Sequence, residues 1–474
     1  MSTKLPNIKT DFSQWYNEVV FQSGLADHAP VRGCMIICPY GYALWENIKN
    51  RLDHRIKETG HHNAAFPLLI PQSFIEKEKQ HVAGFAPELA VVTIAGGKKL
   101  EEPLIVRPTS ETIIHHMFAK WIKSWRDLPM KINQWANVVR WEMRTRPFLR
   151  TTEFWWQEGH TAHETPQEAQ DEAELMWKEY ISLYENYLAI PVVFGIKSES
   201  EKFAGADRTY TLEGIMPDGK ALQLCTSHII SQNFAKSFGI MFQDRSGNQA
   251  HPYLTSWGFT TRSIGALVMV HGDEKGLIIP PKIAPIMVVI VPIFKKDVDS
   301  SIIKNEVQRI AQELRAHSIA VEVDDREDET PGAKFYKWEL KGVPLRIEIG
   351  PRDIAQRTVV LSDRLGLAKE SVSFDQLLQQ VKERADRVQK TLFERAQERQ
   401  QQLWHIGEKI SVFGPVLDKE NGFYQTGWCQ QSSCEAELKK YSATIRCILP
   451  SNKLNHCFNC DQASKGDIVV AKAY

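Results

Sequence analysis

Neither sign of charge prevails in this sequence. Lys and Arg number 58, Asp and Glu number 58, and the net charge is zero with histidine neutral. That balance excludes binding of nucleic acid through bulk charge. A nucleic-acid partner has to be held by local patches. Long apolar runs are also missing. The longest, "IAPIMVVIVPIF", is too short to cross a bilayer and contains prolines. The opening "MSTKLPNIKTDF" lacks the apolar core of a signal peptide. The expectation is a soluble, cytoplasmic protein with no membrane partner. G-x-x-x-x-G-K-[ST] does not occur, so a nucleotide is not held by a P-loop. Internal repeats and low-complexity tracts are absent. Cysteine is scarce over most of the chain. Cys34, Cys38 and Cys225 are scattered, whereas Cys429, Cys434, Cys447, Cys457 and Cys460 crowd together. Without a secretory signal, such a crowd points to metal rather than disulfides.

What is present is patterned in two halves. "ALWENIKNRLDHRIKETG", "SETIIHHMFAKWIKSW" and "TPQEAQDEAELMWKEYISLYENYLA" read as helices, the last with Thr165 as N-cap and Pro166 at the first helical position. The runs "CMIICP", "LIVRPT", "VVRWE", "EFWWQEGH" and "GIMPDGKALQLCTSH" read as strands, several of them hairpin partners. This half predicts an antiparallel sheet with helices. "VHGDEKGLIIPPKIAPIM" carries glycines and prolines and reads as a linker. Beyond it, strands and helices alternate as in a small α/β domain with a buried sheet. A long helix with a charged outer face follows, and then the cysteine-rich segment.

The segment "VVRWEMRTRPFLRTTEFWWQEGH" holds more arginine than a structural hairpin needs. Alternate residues of a strand share a face, so Arg140 and Glu142 point the same way. A guanidinium binds phosphate, an aromatic ring such as Phe154 stacks on a base, and a carboxylate accepts from an exocyclic amine. With Arg150, these residues describe a nucleotide held from phosphate to base along the hairpin.

This R-x-E, loop, R-x-x-x-F pattern resembles motif 2 of the class II aminoacyl-tRNA synthetases. "RGCMIICPYGYALWENI" resembles motif 1, a dimer-interface strand and helix around Pro39, and "SWGFTTRSIGALVMVHGD" resembles motif 3, with Arg262 as its arginine. Within the class, "RPTSET", "WQEGHTA", "EKFAGADRTYTLE", "TSHIISQNF" and "IEIGPRD" resemble the prolyl-tRNA synthetases over nearly the whole chain. Only about ninety residues separate motifs 2 and 3, too few for an extra editing domain. The cysteine-rich segment resembles the archaeal and eukaryotic type. The implied fold is α+β. It comprises a class II catalytic domain on an antiparallel sheet flanked by helices (1–276), an α/β anticodon-binding domain (284–382), a helical connector (383–410) and a small α+β zinc-binding-like domain (411–474).

The resemblance implies a proline–tRNA ligase acting on ATP, L-proline and tRNA(Pro), as a homodimer, with Mg2+ accompanying ATP. It places the α-phosphate and substrate carboxylate at Arg140 and the outer phosphates at Arg150. Adenine lies between Phe154 and Arg262, its amine read by Glu142, with Thr151, Gln223 and Thr226 also at the nucleotide. Arg140 and Arg262 carry the catalytic charge. For proline, Thr109 and Glu111 suit the ammonium, and Arg140, Trp156, Glu158, His160, His228, Ser256 and Gly258 complete the pocket. Phe85 and Glu88 belong to a stretch resembling a mobile flap. Tyr474 belongs to a segment that in related enzymes folds back towards the site. Leu224 and Cys225 stand where relatives commonly have small residues, which either narrows the nucleotide side or is absorbed by repacking. In the anticodon domain, Arg346, Glu348, Arg352 and Asp353 are placed to read base edges or to form a solvated turn. Cys429 and Cys434 are spaced C-x4-C, and Cys457 and Cys460 C-x2-C. Two such pairs predict a structural zinc site of four thiolates, and Cys447 in an apolar strand reads as a packed thiol.

Overall fold

In a computed structural model, which describes residues 4–75, 89–294 and 299–474, the arginine-rich segment forms the expected hairpin. Strand Met130–Val139 pairs antiparallel with strand Glu153–His163, and Arg146 bridges to Arg150 across the loop. Strand Tyr253–Thr260 lies next to Glu153–His163. Ala221–Ser231, Arg208–Ile215 and Val193–Ile196 follow, every pairing antiparallel. "GIMPDGKALQLCTSH" is thus a strand end, a turn and a second strand rather than one run.

Helix Pro166–Asn186 covers this sheet. Thr165 accepts from the Glu168 N–H while Glu168 reaches back to the cap, and proline stands at the first position. Its buried Ala169, Ala173, Met176, Tyr180, Leu183 and Tyr184 form one stripe of helical spacing against the sheet. Helix Pro39–Glu58 buries Leu44, Trp45, Ile48, Leu52 and Ile56 in the same core. The 276–287 stretch is no free spacer, because Leu277, Ile279 and Ile283 sit in this core. Prolines and glycines there interrupt regular structure without bringing the backbone out to solvent.

A second sheet has three parallel strands, Val321–Val323, Val288–Pro292 and Leu345–Ile349. Antiparallel Thr358–Asp363 and Lys369–Ser373 extend it. The long helix Phe374–Gln402 begins against this sheet, with Phe374, Leu377 and Val381 in its core. It leads to the cysteine-rich segment, whose strands extend the first sheet. Among the described residues that sheet is 11-stranded, running from Trp404–Ile406 at one edge to His62–Asn63 at the other. The junction is the Ile196–Ile448 pair. Gly195 permits it. A Cβ there would stand 2.5 Å from the Ile448 carbonyl oxygen and 2.8 Å from Cys447 Sγ.

Candidate active site

The hairpin, strands Ala221–Ser231 and Tyr253–Thr260 and the start of helix Arg262–His271 enclose a cavity of about 600 Å³. Its lining includes every residue expected at nucleotide and proline: Thr109, Glu111, Arg140, Glu142, Arg150, Thr151, Phe154, Trp156, Glu158, His160, Gln223, Thr226, His228, Ser256, Gly258 and Arg262. These residues come from stretches far apart in sequence, and the antiparallel register brings them together. Ser256 stands opposite His160, and Gly258 opposite both Glu158 and Thr226.

The cations are held in defined ways. Arg140 Nε donates to the Pro108 carbonyl at 3.1 Å, and its guanidinium carbon lies 5.4 Å from the ring centres of both Phe154 and Trp156. Arg262 donates from Nε to the Leu149 carbonyl at 3.0 Å and from Nη1 to that of Gln223 at 3.1 Å. Both guanidiniums are therefore fixed before any anion arrives. Arg150 and Glu142 pair with each other at 2.7 Å, with the Arg150 side chain 57% exposed. An exposed pair contributes little stability, so each partner is cheaply released to another group.

At the other set of residues, Glu158 collects donors. His160 Nε2 lies 3.1 Å away, the Ser110 N–H 3.2 Å and Gln134 Nε2 3.0 Å. Burial pushes this carboxyl up, but the His160 bond and charge and the Ser110 donors outweigh it and hold it below the usual range. Glu111 moves the other way. Burial raises it, with the His160 cation opposing and the Glu158 charge adding. Burial and the His160 charge push His228 down to about 3, so its imidazole is neutral. Its two nitrogens meet Thr209 Oγ1 at 2.9 Å and Thr226 Oγ1 at 3.0 Å.

Leu224 and Cys225 line the cavity and are buried in the main core as well. A Cβ at Gly214 would stand 3.2 Å from Leu224 Cδ1, so the leucine fills space the glycine leaves. Lys197, Glu201, Phe203, Thr209 and Thr260 also line the cavity and were not singled out from sequence. For Glu201, Phe203 and Thr209 the signal lay in "EKFAGADRTYTLE" and for Thr260 in "SWGFTTRSIGALVMVHGD", which mark segments but not single residues, and Lys197 lies outside the quoted motifs. Phe85 and Glu88 lie outside the described residues. Tyr474 donates to Asp218 Oδ2 at 2.8 Å, and its ring lies 5.3 Å from the Arg146 guanidinium carbon in the hairpin loop.

Away from the cavity, Arg346 lies over Phe335 at 4.0 Å and pairs with Glu348 at 3.1 Å, and Glu348 also pairs with Lys369 at 3.1 Å. Arg352 is exposed. Asp353 accepts from the Gly350 N–H at 2.7 Å, which caps a short helix. Cys429, Cys434, Cys457 and Cys460 converge, with sulfurs all within 4.8 Å of one another. Two of the separations are 3.7 and 3.6 Å. Tetrahedral zinc–thiolate bonds place sulfurs about 3.8 Å apart, so the donor set fits zinc. Cys447 is buried apart from them in an apolar cluster with Val193, Phe423 and Val469.

Residues 93–271 match the family described as tRNA synthetase class II core domain (G, H, P, S and T), and residues 287–384 match the anticodon binding domain. Residues 410–474 match the family described as Prolyl-tRNA synthetase, C-terminal. Proline–tRNA ligase 2 of Clostridioides difficile is 50% identical over 474 residues, covering 99% of this chain and 98% of the relative. The chain belongs to the prolyl-tRNA synthetase family. A family member of Borreliella burgdorferi, a proline–tRNA ligase, is 47% identical over 488 residues with both chains fully covered. A crystal structure of the prolyl-tRNA synthetase from Cryptosporidium parvum complexed with halofuginone and AMPPNP superposes with a TM-score of 0.94. It is 40% identical and covers 99% of each chain. The same enzyme complexed with L-proline and AMP gives 0.93, at 39% identity, covering 99% of this chain and 96% of that one.

Proposed function

We propose that this chain attaches proline to tRNA(Pro), first forming prolyl-adenylate from ATP with release of pyrophosphate, then transferring the prolyl group to the tRNA 3′ end. The observation that carries the reading is the single cavity in which the hairpin arginines and the Glu111–Glu158–His160 cluster meet.

In the first step the proline carboxylate attacks the α-phosphorus and the bond to pyrophosphate breaks. The nucleophile is already an anion and needs no base. The obstacle is one anion approaching another while charge builds on phosphate oxygens, so fixed cations matter most. Arg140 spans both partners, contacting carboxylate and α-phosphate. Arg150 leaves Glu142 for the outer phosphates, which frees Glu142 to accept from the adenine amine. Phe154 and Arg262 hold the base, with Thr151, Gln223 and Thr226 beside it. Glu111 and Thr109 take the proline ammonium, while Trp156, Glu158, His160, His228, Ser256 and Gly258 shape the ring pocket. Magnesium bound with ATP supplies further neutralisation of the triphosphate. Arg346, Glu348 and Arg352 offer the anticodon domain's polar face to tRNA, with Asp353 fixing the turn. The four clustered cysteines hold a structural zinc, because four thiolates leave no open position for a substrate. The protein works as a cytoplasmic homodimer.

Proline-dependent ATP–pyrophosphate exchange without tRNA tests the reading, with the other amino acids as comparison. Arg140→Ala is expected to lower it by about 10²-fold or more, since a cation leaves the site of developing charge. Exchange driven by another amino acid and not by proline would overturn the proposal.

A further inference from the structure

The loop after strand Val193–Ile196 lines the cavity through Lys197, Glu201 and Phe203, and the chemistry above gives it no role. Its outer side is gripped by the C-terminal region. Ser198 Oγ donates to Glu435 Oε1 at 2.6 Å, and Ser200 Oγ to the same oxygen at 2.7 Å. Glu435 lies on the short helix Ser432–Glu437, next to Cys434. Among the described residues, both side-chain bonds of its carboxylate go to this loop and none to its own domain.

The start of the loop is pinned independently. Lys197 Nζ donates to Glu213 Oε1 at 2.8 Å, and Arg446 Nη2 donates to Glu213 Oε2 at 2.9 Å. These side chains are 2%, 0% and 8% exposed, and Arg446 comes from the strand that pairs with Val193–Ile196. The loop's far end reaches the substrate wall. The Phe203 N–H donates to Thr209 Oγ1 at 3.0 Å, and the Phe203 ring lies 4.8 Å from the His228 ring.

We infer that Glu435 is a positioning residue for the proline end of the site. It takes two charge-assisted hydrogen bonds from the middle of an irregular loop, and the fixed loop holds Phe203 against His228. Without Glu435 the loop keeps its pinned start and the Phe203–Thr209 bond but loses the anchor that ties its middle to the C-terminal region, and the ring is held less firmly. The inference rests on the assignment of His228 to the proline pocket.

The test compares Glu435→Ala, the pair Ser198→Ala with Ser200→Ala, and all three together. Each is checked for an unchanged melting temperature and thiol count. The expected result is a rise of about tenfold in the KM for proline, the worth of a lost hydrogen bond to a charged group. The kcat and the KM for ATP should move by less than about twofold. The triple variant is no worse than either parent, because both remove the same contact. Glu435→Gln restores an acceptor and recovers part of the affinity. Hydrogen exchange of amides 197–203 should quicken in Glu435→Ala. If Glu435→Ala does not fold, the serine pair alone gives the same readings. An unmoved proline KM, a fall in kcat alone, or additive effects would overturn the inference. If the parent protein shows no proline-dependent exchange, the functional proposal falls instead. The clamp is then judged by hydrogen exchange, and unchanged protection of 197–203 sinks it.

Discussion

Glu111 and Glu158 face one cavity and are shifted in opposite directions, Glu111 up and Glu158 down. The difference lies in His160, which bonds to Glu158 and only acts on Glu111 through space. Burial lowers His160, but its bond to Glu158 and the charges of Glu158 and Glu111 outweigh it and raise it above the usual histidine value. A raised histidine stabilises the fold fully below its unfolded value, about 6.5, and loses that contribution as pH rises through the raised value. Glu158 is lowered, so its contribution is present above about 4.3 and lost as pH falls through its folded value. The pair is therefore strongest on the mildly acidic side of neutral. His160→Gln is expected to cost about 3 kcal/mol at pH 6, the scale of breaking a buried pair, and clearly less at pH 9. Urea unfolding at the two pH values measures it, and an equal loss at both would show that the charge pair is not what the histidine supplies.

At the scale of elements, the hairpin was legible because strand alternation and the R-x-E, R-x-x-x-F spacing agree, and the structure places all four of those side chains in one cavity. The N-cap and proline of helix Pro166–Asn186 were legible because capping is local. The pocket loop was not. Its anchor is 235 residues away, and an irregular loop has no periodicity to read. The joining of the cysteine-rich strands to the catalytic sheet was equally hidden, since it rests on pairs distant in sequence, Ile196 with Ile448 and Ala221 with Ala473. The four cysteines lie between those readings. Their spacing suggested two thiolate pairs, and folding brings the pairs together. Burial pushes the Cys457 thiol up, but the N–H groups of Cys460, Asn459 and Cys429 outweigh it and bring it to about 7. That turn is already arranged to favour a thiolate, as a metal ligand must be. Protein purified without chelator should carry about one zinc per chain. Cys457→Ser with Cys460→Ser should release it and lower the melting temperature while part of the exchange activity remains. Zinc-free protein with all the segment's thiols titratable would remove the site.

For the whole molecule, the decisive surface is the one behind the hairpin. Strands Ala26–His28 and Met35–Ile37 form a two-stranded sheet leading into helix Pro39–Glu58. The turn between them supports the hairpin loop from below. The Thr152 N–H donates to the Gly33 carbonyl at 2.9 Å, and the Phe148 N–H to Met35 Sδ at 3.4 Å. Gly33 has φ near +84°, and a Cβ there would stand 2.4 Å from Thr152 Oγ1, so only glycine fits beneath the loop. The same segment leaves apolar side chains in solvent, with Val31 at 53% exposure, Ile36 at 49% and Tyr42 at 36%. A second copy related by a two-fold axis would cover them with the same patch, as an isologous interface requires. A stable one buries roughly 1,600 Å² in all. Covering this segment would steady the Gly33 and Met35 contacts, and through them the loop carrying Arg146 and Arg150. A dimer built on this face would join assembly to the proposed phosphate site through these two hydrogen bonds. The protein is expected to have a dimeric mass at micromolar concentration. Ile36→Asp places an unpaired charge in the proposed interface, so it should shift the mass towards monomer. Exchange should fall by about tenfold or more, as a 1 Å drift of a positioning group is enough to do. Light scattering and exchange assays on the same samples decide it. A parent protein that is monomeric, or an Ile36→Asp monomer with undiminished exchange, would show that the apolar segment serves neither assembly nor the site.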